Sequence, residues 1–302
     1  MPTLAEALTT GPVVLDGGLS TELESRGHDV TSALWSARLL RDDPAAIRDA
    51  HAAFEAAGAQ VATTASYQAT VPGFAAAGFD DAPGLIARSV ALAREGAPSS
   101  WVAGSVGPYG AYLADGSEYT GDYLSSVTLP ELREFHRPRL QVLAEAGVDV
   151  LACETLPGAA EVEALLAEVT ALDVPAWFSL SAVTGSDGVA RTRRGEPLSD
   201  VLGMVRGVDQ VVAVGVNCTD PASVVPAVVW ARVASGKPVV VYPNSGERWD
   251  ADARAWTGDA GVGDVSEWLS AGARLVGGCC RVRPADVAAI AGTVRGGSWS
   301  TS

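Results

Sequence analysis

Three of the four cysteines in this 302-residue chain stand where apolar runs end. Cys218 closes Val211-Val212-Ala213-Val214-Gly215-Val216-Asn217, and Cys279 and Cys280 follow Gly277 and Gly278 after a later run. Three thiolates with no histidine nearby make a soft donor set suited to Zn²⁺, with one tetrahedral position left open. Structural zinc sites fill all four positions and favour paired Cys-x-x-Cys knuckles, which this sequence lacks. A free thiol ionises near pH ~8.5, whereas coordination to zinc deprotonates it outright. Three thiolates on a divalent ion leave a formal charge of about −1, which makes a weak Lewis acid toward carbonyls and water. A further thiolate added there keeps its nucleophilicity. The donor set therefore predicts alkyl transfer to sulfur rather than hydrolysis.

Adjacent residues of an extended strand point to opposite faces, so Cys279 and Cys280 need a turn to share one ion. Gly277 and Gly278 would supply it through positive φ; a vicinal disulfide is the competing geometry. Cys153, alone inside an apolar run, reads as a buried structural cysteine.

The elements that must position these residues are eight short apolar runs at 13–15, 61–66, 101–106, 148–153, 176–181, 210–216, 238–242 and 274–277. Helical patterns separate them. Asp43-Pro44 is an N-cap followed by proline, Leu129-Pro130 and Pro284 open further helices, and Pro157-Gly158 precedes an Ala-, Glu- and Leu-rich stretch. Near-continuous apolar strands alternating with helices point to an α/β fold, a (β/α)₈ TIM barrel forming one domain over 1–302, with an open doubly wound sheet as the other option. Barrel active sites sit at the C-terminal strand ends. Those ends carry Asp16-Gly17-Gly18, Ser66-Tyr67-Gln68, Glu154-Thr155, Asn217-Cys218, Tyr242-Pro243-Asn244 and Cys279-Cys280. Glu154 follows a wholly apolar run, so its half-buried carboxylate needs a cationic partner, such as a substrate ammonium.

A net charge of −15 with scattered basic residues argues against nucleic acid or an anionic membrane as partner. Without a membrane-length apolar run or a signal pattern, the expected location is cytoplasmic. Four cysteines are too few for a disulfide scaffold.

Together these motifs resemble the homocysteine S-methyltransferase family, which is related to betaine–homocysteine methyltransferase and to the homocysteine domain of cobalamin-dependent methionine synthase. The resemblance rests on Asp16-Gly17-Gly18-Leu19-Ser20-Thr21-Glu22-Leu23-Glu24, Thr63-Thr64-Ala65-Ser66-Tyr67-Gln68-Ala69, Glu154-Thr155, Gly215-Val216-Asn217-Cys218, Tyr242-Pro243-Asn244-Ser245-Gly246-Glu247 and Gly277-Gly278-Cys279-Cys280-Arg281, in that order across nearly the whole chain. It implies a zinc-dependent transfer of methyl from a sulfonium donor to the thiol of L-homocysteine, giving L-methionine. It makes Cys218, Cys279 and Cys280 the zinc ligands, and Asp16 and Glu154 the holders of the homocysteine ammonium. Backbone amides at Gly17 and Gly18 would receive its carboxylate, and Asn244 would be a displaceable fourth ligand. S-methylmethionine is the first expected donor, then S-adenosylmethionine, then betaine. Selenium analogues of the acceptor fit the same logic, and the sequence leaves the oligomeric state open. Ala65 stands where the family often has Asn, a difference that bears on donor preference.

The remaining features weigh against other chemistries. His28, His51 and His136 avoid the strand ends, which argues against a histidine-rich hydrolytic site; they are expected to be solvated or locally bonded. Gly261-Val262-Gly263-Asp264 follows no strand, so no dinucleotide fingerprint exists. Trp249 and Trp256 are candidates for holding a cationic donor, the other tryptophans are expected mostly in the core, and residues 184–197 are a candidate lid. The competing functions are a zinc hydrolase on the same barrel and a non-catalytic metal- or amino-acid-binding protein.

Overall fold

The valine-rich runs become the staves of a barrel. The computed structural model describes residues 1–32, 34–250, 255–257, 261–297 and 299, with backbone alone for 248–250 and 255–257. The strands are β1 (Val13–Val14), β2 (Val61–Thr63), β3 (Trp101–Val106), β4 (Val150–Leu156), β5 (Ala176–Leu180), β6 (Ala182–Thr184), β7 (Ala190–Thr192), β8 (Val211–Asn217), β9 (Val239–Tyr242), β10 (Arg248–Asp250), β11 (Ala255–Thr257) and β12 (Ala273–Val276). Eight of them form one parallel sheet in the order β1-β12-β9-β8-β5-β4-β3-β2. Gln60 bridges the remaining gap. Its amide donates to the Val14 carbonyl at 2.8 Å, and its side-chain oxygen accepts from the Val14 amide at 3.0 Å. The result is a nearly closed (β/α)₈ barrel. The two short pairs, β6–β7 and β10–β11, are antiparallel hairpins outside it.

Both faces of the staves are covered, which is why they read as unbroken apolar runs. Trp177, Val240, Leu275 and Ala152 fill the interior, and Leu4 and Leu8 of the N-terminal helix pack against that same cluster. Phe178, Val214 and Val241 belong instead to the larger cluster shared with the surrounding helices. The helix Pro44–Ala56 is capped by Asp43, whose carboxylate accepts from the Ala46 amide at 3.2 Å. Thr128 and Glu131 form a reciprocal capping box at the start of Leu129–Glu145. Asp264 caps Val265–Ala271, so the glycines before it are a helix entry.

Three readings change. Strand β4 runs on to Leu156, so Glu154 lies within the strand rather than after it. Strand β2 ends early, at Thr63, because the Asp16 carboxylate takes the Thr63 amide that a longer ladder would use. His51 and His136 are both buried; His136 is bonded, as one of the two expected alternatives had it, and His51 is neither solvated nor bonded. His136 bonds Glu161 at 2.8 Å, whereas neither ring nitrogen of His51 has a hydrogen-bond partner. Burial holds the His51 imidazole down near pH 4, so it is neutral and packs as an apolar ring.

Candidate active site and metal centre

The loop after β9 stitches the two cysteine segments together. Cys218 donates its amide to the Tyr242 carbonyl at 3.3 Å, and Asn244 donates to the Thr219 carbonyl at 3.0 Å. On the other side, Cys279 donates to Pro243 at 2.8 Å, and Ser245 donates to the Cys280 carbonyl at 3.1 Å. The side-chain oxygen of Asn244 accepts from the Cys280 amide at 3.1 Å. That oxygen therefore positions the Cys280 backbone.

The turn that brings the sulfurs together differs from the expected one. Arg281 takes the left-handed conformation, with φ 68°; Gly277 and Gly278 do not. The glycines are needed for close approach. A Cβ at Gly278 would meet Val282 Cγ1 at 2.2 Å, and one at Gly277 would meet Leu15 Cβ at 2.5 Å. At Gly18 a Cβ would lie 2.5 Å from the Cys279 carbonyl oxygen. Cys218 itself is left-handed at φ 46°, a backbone cost of about 1–3 kcal/mol that clusters at functional sites.

The three sulfurs lie within 4.8 Å of one another. Cys218 Sγ is 2.7 Å from Cys279 Sγ and 3.9 Å from Cys280 Sγ, and all are free thiols. Neighbouring sulfurs on a tetrahedral zinc, at ~2.3 Å each, would be ~3.8 Å apart, which these separations bracket. The acid–base chemistry makes the same case. The Cys280 thiol is held well below its usual range by hydrogen bonds from Cys218, then Cys279, with Tyr119 adding another. The Cys279 thiol is pushed well up by its contacts with Cys218 and Cys280 and by burial. One thiolate is easy to form and three are not, unless a cation compensates them. A soft divalent metal fits this donor set.

A second polar group faces the same cavity. Asp16 is 5% exposed and accepts from the Thr63 amide at 2.6 Å and the Thr63 hydroxyl at 2.8 Å. Glu154 is 6% exposed and accepts a short bond from Ser105 and another from Tyr242. Burial outweighs these bonds and lifts Asp16 to about 6 and Glu154 to about 7. The negative charge of Asp16 adds to the Glu154 shift. Two desolvated carboxylates that repel each other favour a bound cation.

Thr155, next to Glu154, is left-handed at φ 60°, rare for a β-branched residue. Asn217 latches it: Thr155 donates its amide to Asn217 Oδ1 at 2.7 Å, and Asn217 Nδ2 donates to Thr155 Oγ1 at 2.7 Å. One residue thus fixes the carboxylate strand to the segment bearing Cys218.

All these groups line one cavity that opens to solvent. Asp16, Gly17, Gly18, Glu154, Cys218, Cys279 and Cys280 border it; Asn244 does not. The Gly18 amide donates to the Val282 carbonyl at 2.9 Å, which engages one of the two amides expected for a substrate carboxylate. The cavity also contains Trp35 and Tyr119, which carried no signal in the sequence. Trp35 stacks on Tyr67 with ring centroids 6.3 Å apart, so this tryptophan is a wall of the site rather than core. Ser105 did leave a trace, as a polar residue inside an apolar run. Trp249 and Trp256 pair across the β10–β11 hairpin, but their side chains lie outside the described residues. Residues 184–197 hold most of the β6–β7 hairpin, tied down by a 2.9 Å bond from Arg193 Nε to Ser181 Oγ. Cys153 is fully buried, and burial pushes its thiol far up.

Comparison with known proteins gives the family. The family profile described as Homocysteine S-methyltransferase matches residues 13–294. The Homocysteine S-methyltransferase of Escherichia coli (strain K12) is 47% identical over 296 residues, covering 92% of this chain and 94% of that protein. The Selenocysteine Se-methyltransferase of Brassica oleracea var. italica is 39% identical over 310 residues, covering 93% and 88%. The metallated crystal form of the E. coli homocysteine methyltransferase MmuM superposes with a TM-score of 0.81 at 44% identity, covering 94% of this chain and 96% of that one. With the profile spanning nearly the whole barrel and such relatives matched end to end, this chain belongs to the homocysteine S-methyltransferase family.

Proposed function

We propose that this enzyme transfers a methyl group from a sulfonium donor, S-methylmethionine in the first instance, to the thiol of L-homocysteine, giving L-methionine. The observation that carries the reading is the meeting of three free thiols and two desolvated carboxylates in one cavity. Cys218, Cys279 and Cys280 would hold Zn²⁺, which when bound would keep the homocysteine sulfur deprotonated at neutral pH.

The chain's own residues do the rest. Asp16 and Glu154 receive the homocysteine ammonium, whose charge restores the ionised state that burial opposes. The Gly17 amide is the donor for its carboxylate, since the Gly18 amide is bonded to Val282. The Asn217 latch keeps Glu154 in register with Cys218, so ammonium and sulfur are gripped at a fixed separation. Asn244 holds the Cys280 backbone rather than acting as a ligand. The homocysteine thiol proton leaves to solvent, the sulfur attacks the methyl carbon in line, and the donor's C–S bond breaks as its sulfur becomes a neutral thioether. No general base is needed, in keeping with a cavity lining that, among the described residues, contains no histidine. Positioning the two sulfurs in the near-attack geometry supplies much of the acceleration. Trp35 and Tyr67 offer aromatic faces to the sulfonium charge.

The sequence relationship to a selenocysteine methyltransferase supports selenium-containing acceptors as well. Among the described residues no helix is long and apolar enough to cross a membrane, and we place the enzyme in the cytoplasm. Incubation of the zinc-loaded protein with homocysteine and S-methylmethionine tests the proposal. Methionine should form only when both substrates are present. A protein that hydrolyses esters or amides with no thiol added, and yields no methionine, contradicts it.

A further inference from the structure

Behind one wall of the cavity lies a buried arginine. Arg139, 1% exposed in the helix Leu129–Glu145, does not itself border the cavity. Its guanidinium grips backbone. Nη1 donates to the Tyr67 carbonyl at 2.8 Å, and Nη2 donates to the Gly107 carbonyl at 2.6 Å. Nε is buried with no hydrogen-bond partner. A charge buried in this way costs stability. What it secures are the segments that leave β2 and β3 at the C-terminal end of the barrel.

The charge is compensated at one remove. Nη2 also donates to His136 Nδ1 at 3.1 Å. A guanidinium has no acceptor, so the imidazole proton sits on Nε2, which donates to Glu161 Oε1 at 2.8 Å. Glu161, fully buried in the helix Ala159–Leu172, also accepts from the Tyr109 amide at 2.6 Å and from the Tyr123 hydroxyl. Tyr109 and Tyr123 belong to the same segment after β3 as Gly107. Arg139 is therefore anchored from behind while its other donors face Tyr67 and Gly107.

Tyr67 is the residue through which this network reaches the site. It lines the cavity and stacks on Trp35. Gly107 lies directly against its ring: a Cβ there would meet Tyr67 Cε2 at 2.7 Å, and the Gly107 amide donates to the Tyr67 carbonyl at 3.3 Å. Arg139 thus holds both the backbone that carries the ring and the backbone that supports it. The acceptor end of the cavity is braced separately. Asp16 and Glu154 take their bonds from Thr63, Ser105 and Tyr242, whereas the Arg139 guanidinium bonds Tyr67, Gly107 and His136.

We propose that Arg139 is a positioning residue for methyl transfer: by fixing the Tyr67 ring against Trp35 it sets the affinity for the sulfonium donor and leaves the affinity for homocysteine unchanged. This rests on the methyl-transfer reading and deepens it.

Steady-state kinetics of zinc-loaded variants test it. Arg139→Gln should raise KM for S-methylmethionine about tenfold, with KM for homocysteine and zinc content within about twofold of wild type. Arg139→Lys, which keeps the charge and can reach one carbonyl, should recover part of the loss. Tyr67→Leu should raise the same KM. Adding Arg139→Gln to Tyr67→Leu should raise it less than about twofold further, because the effect passes through the ring. His136→Gln leaves the guanidinium in place but loosens its anchor, so it should give the same one-sided change at smaller size; it decides the matter if Arg139→Gln does not fold. Equal rises in the two KM values, an unchanged KM for S-methylmethionine, or full multiplication of the effects in the double variant overturns the positioning role while sparing methyl transfer. Wild-type enzyme that forms no methionine from homocysteine and S-methylmethionine overturns both.

Discussion

Glu154→Gln should make the substrate-free protein more stable while making it worse at its task. The carboxylate is nine-tenths buried, and burial lifts it from an ordinary value near 4.5 to about 7. Because the folded value is the higher one, the penalty is absent in acid and grows as pH rises from about 4.5 through 7. Each unit is worth about 1.4 kcal/mol, so the ionised group costs the fold about 3 kcal/mol at pH 8. The amide keeps the shape and an acceptor for Ser105 and Tyr242, but its NH₂ must find a partner, which takes back about 1–2 kcal/mol. The expected net gain is therefore about 1–2 kcal/mol at pH 8, and it should vanish or reverse at pH 5. Urea denaturation of both proteins at the two pH values measures it. Calorimetric titration of the zinc-loaded forms should show homocysteine binding weakened about tenfold or more, at equal zinc content. A variant less stable than wild type at pH 8, or one with unchanged homocysteine affinity, refutes the reasoning that desolvation primes this group for an ammonium.

Other perturbations separate ligands from their supports. Gly18→Ala would place a Cβ 2.5 Å from the Cys279 carbonyl; chelator competition should show zinc affinity down about tenfold or more with every ligand still present. Asn217→Ala removes both bonds to the left-handed Thr155; chemical denaturation should show a loss of about 2–4 kcal/mol, with a raised KM for homocysteine. Cys280→Ser should abolish zinc retention and methyl transfer together, whereas Cys153→Ala should leave metal content and kcat intact, as metal analysis and steady-state assays can tell.

The barrel was legible because each stave is buried on both faces, which writes an apolar run into the chain. Strand ends were less so. At Thr63 the end is set by the Asp16 carboxylate beyond β1, and past Glu154 the strand continues to Leu156 with Thr155 latched by Asn217 of β8. The cysteines were readable because thiol chemistry is local to the residue. Their geometry was not: the turn is made at Arg281, and the glycines serve contacts with Leu15, Val282 and Cys279, which no local pattern announces. Trp35 and Tyr119 escaped for the same reason, since long segments after β1 and β3 fold them over the rim. The two helical histidines look like surface residues in one dimension and are enclosed in three.

The central claim is that the acceptor's sulfur completes the tetrahedron begun by Cys218, Cys279 and Cys280. X-ray absorption at the zinc edge tests it most directly. The zinc-loaded protein should give three sulfur neighbours at ~2.3 Å plus one lighter atom, changing to four sulfurs when homocysteine is added. An unchanged first shell, in a sample that calorimetry shows to be saturated with homocysteine, would contradict the account.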